Sequence, residues 1–203
     1  TYASLQNETE LDLPHYQKFG NVNTVTQQHA RASEANIQMM QGFGIRPTVL
    51  VRNIFDTTAS LLDFYSTGFA FSTFFEKDEF NAFSDAEKVD ILIKYALPWY
   101  FQFVASWQRA EREGRLEMQW VTYEQMLVDK VRYIDDLLSF YGVKAPDALI
   151  EQKIDENETK KDVNRFNKGV SGRGKTVLSD MHREKIKDLA KPFPSADFSM
   201  LGI

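Results

Sequence analysis

The run Arg46-Pro47-Thr48-Val49-Leu50-Val51-Arg52 limits the choice of fold more than any other stretch of this chain. It is compact, apolar and β-branched, long enough for a buried strand and too short for a helix. Helical spacing follows at once, with Ala59, Leu62 and Tyr65 on one side of the segment from Asp56 to Tyr65. The same exchange of strand for helix recurs along the chain. Asn21 to His29, with Val22, Val25 and its threonines, suits a short strand. Ser33 then reads as the N-cap of a helix through Ile37, Met39 and Met40, stopped by Gly42 and Gly44. Ser84-Asp85-Ala86-Glu87 is a capping box that opens a helix through Ile91, Leu92 and Tyr95. Pro98 separates this from another helix running through Phe101, Val104 and Trp107 to Gly114. Leu116 to Thr122 reads as a strand, Val131 to Tyr141 as an amphipathic helix ended by Gly142, and Ser179 to Ala190 as a last helix. Thr1 to Gly20 reads as loop. Strands alternating with helices point to an α/β fold with a mostly parallel sheet.

At 203 residues and 43% hydrophobic, the chain has enough apolar side chains for a core and is expected to form a single domain over residues 1–203. A net charge of -5 argues against nucleic-acid binding by bulk attraction to phosphate, but leaves room for a local cluster of basic groups around a small anion. There is no cysteine, hence no disulfide framework and no thiolate zinc site, and no metal is expected. The longest uncharged stretches, Phe64 to Phe75 and Tyr95 to Gln108, fall short of the roughly 20 apolar residues of a membrane span. With no signal peptide in view, a cytoplasmic location is the expectation. The oligomeric state is left open.

Two places can hold an anion. Arg52 stands at the end of the central strand, where open α/β sheets bind ligands, and Ser60 lies eight positions on in the following helix. A guanidinium, a hydroxyl and a helix N-terminus together suit a phosphate. The alternative is that Arg52 pairs with Asp56 and Ser60 only fills a helical position. The second place runs from Asn164 to Lys175, where four basic residues and three glycines can wrap backbone N–H groups and cations around an anion. Its spacing is not that of a Walker A loop. The alternative here is a solvated loop.

Taken together, the motifs resemble those of the sulfotransferases that use 3′-phosphoadenosine-5′-phosphosulfate. Arg52-Asn53-x-x-Asp56-x-x-x-Ser60 is similar to the family's Arg-[Asn/Asp]-x-x-Asp-x-x-x-Ser, whose Arg and Ser hold the donor's 3′-phosphate. Thr122-Tyr123-Glu124-Gln125 resembles Arg-Tyr-Glu-Asp, in which the tyrosine lies beside the adenine. Phe166-Asn167-Lys168-Gly169-x-x-Gly172 is similar to Phe-x-Arg-Lys-Gly-x-x-Gly once one position slips. The resemblance implies a P-loop-NTPase-like three-layer fold, its sheet flanked by helices. It also implies nucleotide contacts from Arg52, Ser60, Tyr123, Asn167, Lys168 and Gly169. Gln27-Gln28-His29 stands where the family has Lys-Thr-His, a little over twenty residues before the arginine. His29 is thereby the candidate base, since a neutral imidazole can take the proton of an attacking hydroxyl.

The departures are as specific as the matches. The family lysine is Gln27, the signature arginine is Asn167, and Gly-Asp-Trp reads Gly172-Arg173-Gly174, although Arg165 or Arg173 can return a positive charge. No Pro-Lys-x-Gly-[Ser/Thr]-[Ser/Thr] loop, which binds the 5′-phosphosulfate, precedes Thr1. Either a segment before Thr1 supplies it, or the domain has lost catalysis. Two functions follow: transfer of a sulfuryl group to a hydroxyl or amine of a small-molecule or carbohydrate acceptor, or a catalytically inactive sulfotransferase-like module in a structural or interaction role. The aromatic stretch Phe64, Phe69, Phe71, Phe74, Phe75, Phe80 and Phe83 would line an acceptor pocket in the first case and a partner surface in the second, unless it is plain core.

Overall fold

The computed structural model describes residues 10–19, 22–67, 77–159 and 170–203. Two helices come first, α1 (Leu13–Phe19) and α2 (Glu34–Gly42), then strand β1 (Thr48–Val51) and helices α3 (Ile54–Ser66), α4 (Lys77–Ala82), α5 (Asp85–Tyr95) and α6 (Leu97–Arg112). Strand β2 (Gln119–Thr122) leads into α7 (Tyr123–Val128), α8 (Lys130–Phe140), α9 (Asp147–Glu158), α10 (Gly174–Val177) and α11 (Asp180–Asp188), and a 3-10 turn over Ser199–Leu201 follows. β1 and β2 pair in parallel, Thr48 against Gln119 through Val51 against Thr122. The fold is α/β, rich in helix, with a small parallel sheet among the described residues.

Local sequence explains most of these boundaries. Ser33 caps α2 by accepting from the Asn36 N–H. Ser84 and Glu87 form the reciprocal capping box of α5, and Thr122 with Gln125 forms another at α7. Pro98 sits in the first turn of α6, where its missing N–H costs nothing, so it starts that helix instead of breaking one. Gly142, at φ 72°, ends α8 in the left-handed conformation that side chains disfavour.

The core lies between β1 and the helices that follow it. Val49 and Val51 of β1 are buried together with Ile54, Ala59 and Leu62 of α3, Val89, Leu92 and Ile93 of α5, and Leu97, Phe101, Val104 and Trp107 of α6. Ile186 of α11 and the C-terminal Phe198 and Leu201 close it from another side. Phe101 meets Phe198 edge-on at 5.1 Å. The buried Thr58 hydroxyl is satisfied by the Ile54 carbonyl at 2.7 Å.

Several expectations need correction. His15, expected in a loop, lies on α1 with its ring 4.9 Å from that of Phe19. Asn23 to His29 is not a strand: it finds no ladder partner among the described residues, and its side chains are exposed. β-branched residues alone do not make a strand where no second chain segment meets them. The Leu116 to Thr122 strand shortens to Gln119–Thr122. α9 was unforeseen because only Ile150 of its length is buried, so an apolar stripe is missing from its sequence. His182, which looks like a surface residue in the sequence, is 5% exposed.

Candidate anion-binding site

β1 delivers Arg52 to its carboxyl end, and the next residue begins a helix. Asn53 caps α3 by accepting from the Phe55 and Asp56 N–H groups, at 3.0 and 3.3 Å. Its own N–H donates to Glu124 Oε1 at 3.0 Å. Glu124 lies just beyond β2, so this bond ties the exits of the two strands together. Tyr123, the residue before it, presents its ring to Arg52, whose guanidinium carbon sits 4.4 Å from the ring centroid. Such stacking holds a planar cation in place while leaving its edge available.

The distal glycine-rich stretch comes to the same spot. Arg52 Nη2 donates to the Val170 carbonyl at 3.4 Å. Beside it Asp56, 3% exposed, takes three donors from one short segment. Ser171 Oγ and the Gly172 N–H reach Oδ2 at 3.1 and 2.6 Å, and the Gly174 N–H reaches Oδ1 at 2.7 Å. Burial pushes the Asp56 carboxyl up, but those three donors, with help from the Arg52 charge, outweigh it and hold the group below its ordinary value. Arg173, the residue between the two glycines, forms an ion pair with Asp63 at 2.8 Å. Its charge is thus already engaged, contrary to the expectation that it stands in for the missing arginine.

Asp56, Ser60 and Asp63 are four and three residues apart on α3, which puts them in one stripe along the helix. The outer two hold the 171–174 segment, so half-buried Ser60 shares the helix face over which that segment lies. Gly174 is needed there. A Cβ at that position would stand 2.4 Å from Phe55 Cβ and 2.6 Å from the Phe55 carbonyl carbon. Arg52 and Tyr123 therefore meet at the carboxyl end of β1, while Ser60 lies midway along α3. The Arg52 Nε is shut from solvent without an acceptor among the described residues, a charge-bearing donor of a kind that buried sites rarely leave unused. Asn167, Lys168 and Gly169, and Arg165 with them, lie outside the described residues.

His29 makes its ring contact with α6. It is exposed on the extended segment before Ala30, with its ring 6.0 Å from that of Trp99 on α6. Trp99 in turn stacks on Phe103 at 5.0 Å. Tyr100, on the same turn, has its phenol pushed up to about 12 by burial and the neighbouring Tyr65. The aromatic stretch divides: Phe80 is fully buried and Phe64 packs on the core, while Phe69, Phe71, Phe74 and Phe75 lie outside the described residues. Glu124 falls within the Tyr-Glu match and Val170 within the Asn164–Lys175 stretch, but nothing in the sequence points to the contacts they make, with the Asn53 N–H and with Arg52.

Among the described residues, no helix is long and apolar enough to cross a membrane. No protein-family model matches the chain, and no curated protein matches it. The solved structures do include a likeness, the crystal structure of mouse sulfotransferase SULT7A1 complexed with PAP, with a TM-score of 0.61 at 17% sequence identity. The match takes in 79% of this chain and 63% of that one, so the chain spans less than two thirds of that protein's length. On that likeness, and with its helices set around a parallel sheet, the chain has a sulfotransferase-like fold.

Proposed function

We propose that residues 1–203 act as one nucleotide-binding domain that takes 3′-phosphoadenosine-5′-phosphosulfate and passes its sulfuryl group to a hydroxyl or amine of a small-molecule or carbohydrate acceptor. The observation that carries this reading is Arg52: half-buried at the carboxyl end of β1, stacked on Tyr123, in reach of Val170, with an unpaired Nε. The three donors from the 171–174 segment already occupy the nearby Asp56 carboxylate, so the half-buried Arg52 guanidinium keeps a donor for an added anion. In this reading Arg52 and Ser60 hold the 3′-phosphate, Tyr123 flanks the base, and Asn167, Lys168 and Gly169 close over the nucleotide. The sulfotransferase-like fold supports it, as does PAP in the related mouse structure.

The proposed chemistry needs few covalent steps from the protein. The acceptor oxygen or nitrogen attacks sulfur, the S–O bond to the nucleotide phosphate breaks, and adenosine 3′,5′-bisphosphate leaves. His29 takes the acceptor's proton, and positioning together with cations stabilises the transferred group. The exposed ring of His29 beside Trp99 suits a base that meets a substrate arriving from solvent. Gln27, standing where the family has lysine, favours a second reading: a module that binds the nucleotide or a partner without transfer.

Calorimetry with adenosine 3′,5′-bisphosphate tests the binding. Saturable 1:1 heat is expected, and its absence sinks the nucleotide reading. Transfer is tested with labelled donor against phenols, alcohols and amines, using the chain with any sequence that precedes Thr1. Binding without transfer to any acceptor leaves the module.

A further inference from the structure

We propose that Asp56 is the positioning residue of this site: its carboxylate seats the 171–174 segment on the first turn of α3, and that seating sets the affinity of Arg52 for its anion. This rests on the nucleotide reading above. A buried carboxylate is tolerated only when its lone pairs are filled, and all three side-chain partners of Asp56 come from this one distant segment. The segment begins next to Val170, whose carbonyl rests on Arg52. On its other side Gly174 lies flush against Phe55, and Arg173 is fixed by Asp63. Release of the carboxylate's three donors would therefore free the chain that borders the guanidinium.

The sign of the effect separates this role from simple electrostatics. Asp56 carries a negative charge close to Arg52, so through space alone it opposes an anion, and neutralising it should tighten binding. A positioning role demands the reverse. In Asp56→Asn, the amide group presents hydrogens toward at least one of the donors, and the segment loses its seat.

The experiment has two arms on the full chain. Hydrogen exchange without nucleotide is expected to speed up about tenfold or more at the Gly172 and Gly174 amides in Asp56→Asn, with the interior of α3 unchanged. Calorimetry is expected to show adenosine 3′,5′-bisphosphate binding about tenfold weaker, the loss of one charge-assisted contact. Ser171→Ala, at an exposed position that leaves the fold intact, is expected to move both readouts the same way by several-fold, and it serves if Asp56→Asn does not fold. Unchanged exchange at both amides overturns the proposal. So does affinity that stays equal or tightens while the segment opens. Wild-type protein that binds no bisphosphate overturns the nucleotide reading, and the exchange arm, which needs no ligand, still decides the seating.

Discussion

Arg52 and His29 have opposite settings, and their variants should fail in different ways. Arg52 is stacked, half-buried and one donor short, so its loss is felt in binding. Arg52→Ala is expected to weaken adenosine 3′,5′-bisphosphate by about 2–3 kcal/mol, measured by calorimetry. Arg52→Lys should recover little, since a lysine has neither the planar face for Tyr123 nor the forked donors. His29 is exposed, beside Trp99. His29→Ala should therefore leave nucleotide affinity intact while turnover drops about a hundredfold or more, read as a fall in kcat with labelled donor. Asp56 adds a pH dependence. Its carboxyl is held below its ordinary value in the folded chain, so the stability it contributes is fully present above the unfolded value near 4 and is lost as pH falls through the folded one. Protection of the Gly172 and Gly174 amides, relative to their intrinsic exchange at each pH, should accordingly hold down to about pH 4 and fall only below it.

At the scale of elements, sequence was most legible wherever a side chain does local work. Ser84 with Glu87 announced α5, Ser33 announced α2, and Thr48 to Val51 announced β1 because nothing else that short and apolar can be buried. Ser84→Ala is expected to cost about 1 kcal/mol in chemical denaturation, since it strips the cap on the Glu87 N–H and the hydroxyl's own bond to Glu87, leaving only the one from the Ser84 N–H. Where the cause is distant, the sequence is mute. Arg52 and Ser60 are candidates by spacing and Tyr123 through the family resemblance, but that Asp56 serves the 171–174 segment depends on a meeting 115 or more residues apart in the chain. α9 is silent in the sequence because Ile150 is its one buried residue, and in Asn21 to His29 the two valines, Val22 and Val25, advertise a strand that has no neighbour among the described residues. His182 shows the same limit: its burial comes from packing of α11 against α5, not from its own neighbours in the chain.

Among the described residues one continuous core joins β1, α3, α5, α6, α11 and the C-terminal residues, with α7, α8 and α9 outside it. It should therefore unfold as a unit. Tryptophan fluorescence, reporting on Trp99, Trp107 and Trp120, and far-UV circular dichroism are expected to give coincident transitions in urea. Two separated transitions would divide residues 1–203 into more than one domain.

Gly174 and Gly202 give this architecture a signature that needs no ligand to detect. A Cβ on Gly174 would enter the backbone of Phe55, and one on Gly202, already at φ 84°, would stand 2.2 Å from Asn53 Nδ2. Both glycines press on the residues that begin α3, one from each of two distant parts of the chain. In a library carrying every substitution at every position, selected only for a folded product, 174 and 202 should tolerate no other residue, whereas an exposed site such as His29 should accept almost any. Selection for nucleotide binding would then add Arg52 to the intolerant set, and the difference between the two maps would outline the site without a crystal.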